Sequence, residues 1–206
     1  MSRYTTSMKR RTRKHLISLV IFVVAAAIAL GQSQGWWGGA EKGVLSSQPG
    51  LYAIDHYVDG DTIAVQMNGK VETIRFIGID TPETHKPNTP VQCYGPAAAA
   101  HTQNVIKAAG GKVRLVSDSL STNRDRYDRL LRYVYLPDGT DVNELNVQQG
   151  YAFYYPYFPF SKSDQFRADE QAAMAAHKGL WGACTPTPSD DGGYKMDETQ
   201  AQAAGA

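Results

Sequence analysis

The sequence predicts an α+β protein in which a small β-barrel packs against three helices. Two observations predict this class: strand patterns gather in the first half of the folded region, and helical patterns follow them. The folded region is predicted to span residues 51–184, because the composition changes on both sides of it. A unit of about 130 residues buries enough surface to fold by itself.

The strands are predicted from alternating apolar and polar residues and from turn residues. Residues 62–67 alternate, the pair Asn68-Gly69 follows, and residues 70–79 return. Asn-Gly is the preferred pair of a type I′ hairpin, so the turn also fixes the register of the two strands. Further strands are predicted at residues 112–117 and 130–136.

Three helices are predicted, each from a residue that starts or stops a helix. Proline suits the first helical turn, capping-box spacing suits a helix start, and glycine suits a helix end. The helices are predicted over residues 97–109 after Pro96, between the capping box Asp141 to Glu144 and Gly150, and over residues 164–178 before Gly179.

The first thirty residues have the pattern of an export signal. Residues 1–15 carry six basic side chains and no acid, and residues 16–30 are apolar except for Ser18. Two interpretations stay open: a signal peptide cleaved after Ala29, or a membrane anchor that continues through residues 31–35. Both predict that the rest of the chain lies outside the cytoplasm, either secreted or attached to the membrane through residues 16–30.

The segments that flank the folded region have low-complexity compositions. Residues 31–50 are rich in Gly, Ser and Gln and predict a linker, whereas residues 185–206 predict a disordered tail. Cys93 and Cys184 suit an oxidising compartment, and the favoured interpretation is a disulfide between them. The alternative is two unrelated buried thiols.

The charge of the folded region excludes a protein that binds nucleic acid through general electrostatic attraction. Residues 51–184 contain 13 Lys plus Arg and 15 Asp plus Glu, a net charge of −2 (13 − 15). Proteins that rely on non-specific phosphate attraction are normally basic. Any nucleic-acid site must therefore be local, and a bound cation could supply part of its positive charge.

The predicted hairpin brings acidic and basic residues together at one end. The register places Asp61 opposite Phe76 and diagonal to Arg75, within about 7–8 Å. Asp80 ends the same strand as Arg75 but has the opposite parity. A shared site therefore needs a bulge or twist, for which Gly78 is the natural position.

These side chains have the chemistry of phosphodiester hydrolysis. Carboxylates and nearby backbone carbonyls suit Ca²⁺ or Mg²⁺, and an arginine fork binds phosphate bidentately. Glu83, close to Asp80, could orient or deprotonate a water molecule. Each part also has a plainer explanation, because Asp-Gly-Asp is commonly a turn and a strand arginine commonly forms a surface ion pair.

Several motifs together resemble the staphylococcal nuclease (thermonuclease) family. They follow in the family's order, with matching gaps, over about residues 55–182. They are Tyr-Val-Asp-Gly-Asp-Thr at 57–62, Ile-Arg-Phe-Ile-Gly-Ile-Asp-Thr-Pro-Glu-Thr at 74–84, Tyr-Gly-Pro-Ala at 94–97, Arg-Tyr-Asp-Arg-Leu-Leu at 126–131, Val-Asn at 142–143, Gln-Gly at 149–150 and Gly-Leu-Trp at 179–181.

The resemblance implies a five-stranded OB-fold barrel with three helices and calcium-dependent cleavage of DNA and RNA. It assigns calcium ligands, phosphate-binding arginines and a general base that either deprotonates or only orients water. In this sequence the ligands of the one Ca²⁺ are Asp61, Asp80 and the carbonyl of Thr81, the arginines are Arg75 and Arg129, and the base is Glu83.

Aromatic residues are implied to contact the substrate. Tyr127 falls on a tyrosine near the phosphate, and the base-stacking residue is assigned to Tyr155 or Tyr157. The alternative for the last two is packing under the last helix. Asp128 stands where the family commonly has glycine, so it could shift the loop or bring a negative charge near the phosphate.

The expected function is thus an exported, calcium-dependent endonuclease with little sequence specificity, monomeric and without an obligate protein partner. Two other classes are considered. One is a non-catalytic nucleic-acid-binding OB module of the cell envelope, which is expected to lose the catalytic charges. The other is an envelope protein in which calcium serves structure alone.

Overall fold

The structure is a computed structural model of the 206-residue chain that describes residues 50–84, 90–190 and 192–196. The predicted signal or anchor at residues 16–30 and almost all of the predicted linker lie outside the described residues. Within the described ranges, every helix is too short or too polar to cross a bilayer.

The described residues form nine strands. They are β1 (Tyr52–Tyr57), β2 (Thr62–Met67), β3 (Lys70–Phe76), β4 (Ile79–Asp80), β5 (Lys112–Val116), β6 (Leu130–Tyr135), β7 (Phe153–Tyr154), β8 (Thr187–Pro188) and β9 (Tyr194–Lys195). Five of them close into a barrel in the order β1-β2-β3-β6-β5. Only the β3–β6 pair of this barrel is parallel. The predicted five-stranded barrel is confirmed.

The β2–β3 hairpin has the predicted register. Thr62 pairs with Arg75 and Met67 pairs with Lys70. Asn68 has φ 52° and Gly69 has φ 81°, which are the positive values that a type I′ turn requires. β1 was not predicted as a strand, because a bulge between Ile54 and His56 interrupts the alternation.

In the described ranges, three helices of at least seven residues pack around the barrel, as predicted, and a fourth of four residues follows them. They are α1 (Gly95–Ala108), α2 (Val142–Gln148), α3 (Ser163–Ala175) and α4 (Leu180–Ala183). At the start of α2, the Asp141 side chain accepts hydrogen bonds from the backbone N–H groups of Asn143 and Glu144. The predicted start of this helix is therefore confirmed.

The ends of α2 and α3 meet where two glycines touch. A Cβ atom at Gly150 would lie 2.2 Å from the carbonyl oxygen of Lys178, and one at Gly179 would lie 2.2 Å from that of Gly150. Both glycines also have positive φ angles. The N–H of Leu180 then donates to the Gly150 carbonyl at 2.8 Å, which fixes α4 to the end of α2.

The segment after α4 differs from the predicted disordered tail. Its strands β8 and β9 form a small antiparallel hairpin. Tyr194 packs edge-on against Trp181 with ring centroids 5.1 Å apart, and Met196 is buried. The prediction of disorder is wrong for β8 and β9, because the packing of the partly buried Tyr194 and the burial of Met196 favour an ordered chain.

A second, smaller apolar cluster lies under this hairpin. Phe153 and Leu180 are buried there with Met196, and the disulfide borders the cluster. Cys93 and Cys184 form the predicted disulfide, with Cα atoms 6.1 Å apart. It joins the segment before α1 to the end of α4.

Glu170 on α3 is a buried carboxyl group outside the predicted site. It is 4% exposed and accepts a hydrogen bond from the Tyr154 N–H at 3.0 Å. Burial raises its pKa from 4.5 to about 7, and the hydrogen bond only partly opposes that change. Because the folded state holds this proton more tightly than the unfolded chain, stability falls as pH rises from about 4.5 to about 7.

Glu170→Gln is expected to raise the free energy of unfolding by about 2–3 kcal/mol at pH 8 and to change it much less at pH 4.5. The amide keeps an acceptor for Tyr154 and removes the buried charge. Urea denaturation at both pH values measures the effect. Asp164→Asn, whose side chain is 92% exposed on the same helix, is the control. Equal pH dependence in Glu170→Gln and the unmodified chain would contradict the prediction.

Candidate functional site at the end of the hairpin

The turn at Gly78 brings Asp80 to the side of the barrel that carries Arg75. β3 ends at Phe76, so the predicted strand over residues 70–79 is divided, and β4 pairs with β7 outside the barrel. Gly78 has φ 74°, and a Cβ there would lie 2.5 Å from the ring of Phe160. Only glycine fits this turn, which supplies the change of direction that the strand parity requires.

Arg75 bridges the two carboxylates that the sequence predicts as calcium ligands. Its Nη1 lies 2.9 Å from Oδ2 of Asp61, and its Nη2 lies 2.7 Å from Oδ1 of Asp80. Nη1 also donates to the carbonyl oxygen of Ile79 at 2.8 Å. The structure thus brings Asp61, Arg75 and Asp80 together as predicted, with the guanidinium between the two acids.

Asp61 also fixes the position of Thr81. Its Oδ2 accepts from the N–H of Thr81 at 2.8 Å and from the Thr81 hydroxyl at 3.1 Å. Gly60 permits this approach, because a Cβ there would lie 2.8 Å from Cγ2 of Thr81. The hydroxyl of Thr102 on α1 donates to the Gly60 carbonyl at 2.7 Å and holds the turn against the helix.

Asp59 is a site residue that the sequence reasoning missed. Its Oδ1 accepts from the N–H of Asp61 at 3.1 Å. Burial, followed by the charge of Asp61, raises the pKa of Asp59 to about 8. The Asp-Gly-Asp motif was the available signal, since both of its acids face one turn.

The cluster carries more negative charge than Arg75 neutralises. Burial raises the pKa of Asp80; Arg75 opposes this rise, and the charges of Asp61 and Glu83 add to it. The Asp80 side chain is 46% exposed, so solvent screens part of the effect. A further cation is therefore favoured at this end of the hairpin.

The donor chemistry fits a hard divalent cation. Carboxylate and carbonyl oxygens are its preferred ligands, and in the described ranges 46% of the Asp80 side chain is open to such an ion. No three His, Cys, Asp or Glu side chains converge as a metal site anywhere in those ranges. The predicted ligand set has two carboxylates and one carbonyl, and Arg75 now lies between the carboxylates.

Glu83 lies near this cluster and is tied to Gln92. Its N–H donates to Oε1 of Gln92 at 2.7 Å, and its carbonyl accepts from the Gln92 N–H at 2.9 Å. The Glu83 carboxylate accepts from the N–H of Thr84 at 2.9 Å. The negative charge of Glu83 contributes to the raised pKa of Asp80. Sequence reasoning missed Gln92, which stands in no motif.

Arg129 directly precedes β6, the strand that pairs with β3, but a different acid holds it. Leu131 pairs with Arg75 across β3 and β6, so the alternation places Arg129 on the same face. The Nε and Nη2 atoms of Arg129 each lie 2.7 Å from Oδ2 of Asp125. Arg75 therefore pairs with Asp61 and Asp80, whereas Arg129 pairs with Asp125.

Asp128 adopts the conformation that explains why glycine is common there. Its φ is 65°, a left-handed value that aspartate tolerates better than most side chains. Its side chain is 88% exposed and lies 3.5 Å from Nε of Arg124. The negative charge therefore faces Arg124, and Asp125 closes the turn through the N–H of Arg129 at 3.0 Å.

The aromatic residues near the site divide into exposed and buried sets. Tyr157 and Phe158 are 61% and 54% exposed, and the ring of Tyr155 lies 6.0 Å from that of Tyr157. Tyr155 donates its N–H to the Gly78 carbonyl at 2.9 Å. Its side chain is close enough to Arg75 to help raise the pKa of that residue. Tyr157 is exposed and Tyr155 is half-buried, so both alternatives stay open for Tyr155. Packing describes their buried neighbours Tyr154 and Phe160.

Tyr127 is the other predicted aromatic residue. It is 64% exposed, and the guanidinium carbons of Arg126 and Arg129 lie 4.8 and 5.5 Å from its ring centroid. The structure thus places the exposed ring of Tyr127 beside Arg129 and the half-buried Tyr155 near Arg75, with the exposed rings of Tyr157 and Phe158 next to Tyr155.

The closed five-stranded barrel and its carboxylate–arginine cluster define an OB-fold protein with a site suited to a cation and a phosphate. Residues 73–183 match the sequence profile described as staphylococcal nuclease homologue. The chain belongs to the staphylococcal nuclease family. The matched range includes Arg75, Asp80, Glu83 and Arg129, and begins after Asp61.

Curated relatives carry nuclease names. The chain is 45% identical over 130 residues to the SPbeta prophage-derived endonuclease YokF of Bacillus subtilis, covering 62% of this chain and 43% of the relative. It is 44% identical over 130 residues to endonuclease YncB of the same organism, covering 62% and 60%. It is 36% identical over 174 residues to the thermonuclease of Staphylococcus hyicus, covering 82% and 98%. The chain thus spans about half the length of the first two.

Proposed function

We propose that this protein is a calcium-dependent endonuclease that hydrolyses phosphodiester bonds of DNA and RNA with little sequence specificity. The observation that carries the proposal is Arg75, which joins Asp61 and Asp80 within reach of the charge of Glu83. The relatives named as endonucleases and thermonuclease support the same reaction class.

The carboxylates of Asp61 and Asp80 and the carbonyl of Thr81 would hold one calcium ion. When bound, the ion supplies Lewis-acid polarisation of the scissile phosphate. Asp61 keeps Thr81 in place through its N–H and hydroxyl. Burial and the charge of Asp61 keep Asp59 largely protonated at neutral pH, and a bound cation would favour its charged form.

Arg75 and Arg129 bind and stabilise the phosphoryl oxygens in this mechanism. A guanidinium presents a planar fork to phosphate, and its charge is worth most where charge builds in the transition state. Burial lowers the pKa of Arg75, but the charges of Asp61, Asp80 and Asp59 outweigh burial and raise it, so Arg75 stays protonated. Engaging phosphate requires Arg75 to exchange one carboxylate contact for a phosphate contact.

Glu83 orients the attacking water and accepts its proton or leaves it in place. The bases of the substrate stack on the half-buried Tyr155 near Arg75 or on the exposed Tyr157 next to it, and on the exposed Tyr127 beside Arg129. Stacking is tolerant of sequence, because every base has a π-face. This arrangement accounts for low sequence specificity, and one chain contains all the proposed groups, so we propose that it acts as a monomer.

The purified chain is expected to nick supercoiled plasmid DNA in millimolar Ca²⁺ and to stop when EGTA is added. Gel electrophoresis measures the cleavage, and a gel-shift assay with Ca²⁺ measures binding. Binding without cleavage would contradict the proposal and indicate a non-catalytic OB module. A rise in Tm with Ca²⁺ but neither binding nor cleavage would indicate a calcium site that serves structure alone.

We also propose that the protein works outside the cytoplasm, secreted or anchored. The apolar run at residues 16–30 after a basic N-terminus supports export, and the Cys93–Cys184 disulfide suits an oxidising compartment. The mass of the mature N-terminus after detergent extraction of cells separates a cleaved signal from a retained anchor.

A further inference from the structure

The backbone of Glu83 is held from two directions by one residue. The side chain of Gln92 accepts from the Glu83 N–H at 2.7 Å, and its backbone N–H donates to the Glu83 carbonyl at 2.9 Å. These two hydrogen bonds join Glu83, in the segment of residues 81–84, to Gln92. The direction of the Glu83 side chain therefore depends on where Gln92 lies.

Gln92 is in turn fixed to the body of the protein. Its carbonyl accepts from the N–H of Gly95 at 3.0 Å, at the start of α1. The next residue, Cys93, is bonded to Cys184, which follows α4. Gly95 also lies against the same segment, because a Cβ there would be 2.9 Å from the Glu83 carbonyl oxygen.

Cys184, the second cysteine of the disulfide, is held to the body of the protein by hydrogen bonds through Leu180. Cys184 donates its N–H to the carbonyl of Leu180 at 2.9 Å, and Leu180 is fully buried. The N–H of Leu180 donates to the Gly150 carbonyl where the ends of α2 and α3 meet. A continuous set of covalent and hydrogen bonds therefore runs from the end of α2 through Cys184, Cys93 and Gln92 to Glu83.

We propose that Gln92 is a positioning residue for Glu83 and that the Cys93–Cys184 disulfide keeps Gln92 in place for this role. The inference rests on the proposed function, because the orientation of Glu83 matters for catalysis only if Glu83 serves the attacking water. A displacement of about 1 Å at a reacting group lowers the rate by up to about 10²-fold. The oxidised chain is the more active form.

The test compares two substitutions of one side chain in the full-length protein. Gln92→Met keeps the length but removes the Oε1 acceptor, whereas Gln92→Glu keeps an acceptor at that position. Gln92→Met is expected to lower kcat about tenfold, the loss of one hydrogen bond, with KM within about twofold. Gln92→Glu is expected to recover most of kcat. Gln165→Met, on the exposed face of α3, is the matched control.

Amide hydrogen exchange of Glu83, measured by NMR, provides a readout that does not depend on activity. Exchange is expected to accelerate about tenfold or more in Gln92→Met, and in the unmodified chain after reduction of the disulfide, relative to the oxidised chain. Unchanged exchange in both would overturn the proposal. Faster exchange with unchanged kcat in Gln92→Met would also overturn it and leave Gln92 a structural residue alone.

Failure of the proposed function gives a different result. In that case the oxidised, unmodified chain cleaves no DNA with Ca²⁺, and no variant changes a rate. The exchange of the Glu83 amide still reports whether Gln92 and the disulfide hold this segment. A chain that cleaves DNA while Gln92→Met matches it in both readouts contradicts only the further inference.

Discussion

Arg75→Lys is expected to lower kcat for DNA cleavage by about 10²–10³-fold. The guanidinium of Arg75 contacts Asp61, Asp80 and the Ile79 carbonyl through two different nitrogens. A lysine carries the same charge on a single nitrogen, so it cannot present a planar fork to these partners or to a phosphate. The loss is expected in kcat, because the fork contributes most in the transition state.

The substitution keeps the charge balance of the cluster, which separates catalysis from folding. Arg75→Ala would leave Asp61 and Asp80 without their cation and is expected to destabilise the fold by about 3–5 kcal/mol as well. Arg114→Lys, on an exposed position of β5, is the control for the same exchange elsewhere in the barrel. Steady-state cleavage rates and Tm are measured together. A kcat for Arg75→Lys within threefold of the unmodified chain would remove Arg75 from the mechanism.

Replacing both cysteines by serine is expected to lower the free energy of unfolding by about 4–5 kcal/mol. The disulfide closes a loop with a sequence separation of 91 residues, and in the chain-entropy model a cross-link of this length restricts the unfolded chain strongly. For a domain of this size the loss corresponds to a fall in Tm of about 10–15 °C. Chemical denaturation of the Cys93→Ser/Cys184→Ser variant measures it.

Reduction of the unmodified chain by dithiothreitol is expected to have the same effect, and the double variant is expected not to respond to it. The second apolar cluster, which contains Phe153, Leu180 and Met196, lies against the disulfide and is expected to loosen first. A loss below about 1 kcal/mol would show that the unfolded chain is already restricted without the bond.

Local sequence patterns were sufficient to predict the structure wherever contacts between neighbours in the chain determine it. The Asn68-Gly69 turn fixes two positive φ angles, and the register from Thr62 to Arg75 follows from it. Asp141 caps α2 as its spacing predicts. β1 was missed, because its bulge breaks the period on which a strand prediction depends.

The residues of the site could be predicted from the sequence, but the contacts between them could not. Asp61, Arg75, Asp80 and Glu83 stand in motifs that a reader of the sequence can find. Their contacts depend on the turn at Gly78, where the ring of Phe160 from a distant segment leaves no room for a side chain. No local pattern shows that ring.

The sequence by itself determined the hairpin, the three main helices, the cysteine pair and the residues that carry charge at the end of β2 and β3. Only the tertiary structure decided that Arg75 lies between Asp61 and Asp80, that Asp128 faces Arg124, and that the tail folds back onto Trp181. It also decided that Gln92 holds Glu83. The physical reason is the range of the interactions: turns and caps are satisfied within a few residues, whereas buried charges and apolar side chains are satisfied by whichever distant segments the fold brings to them.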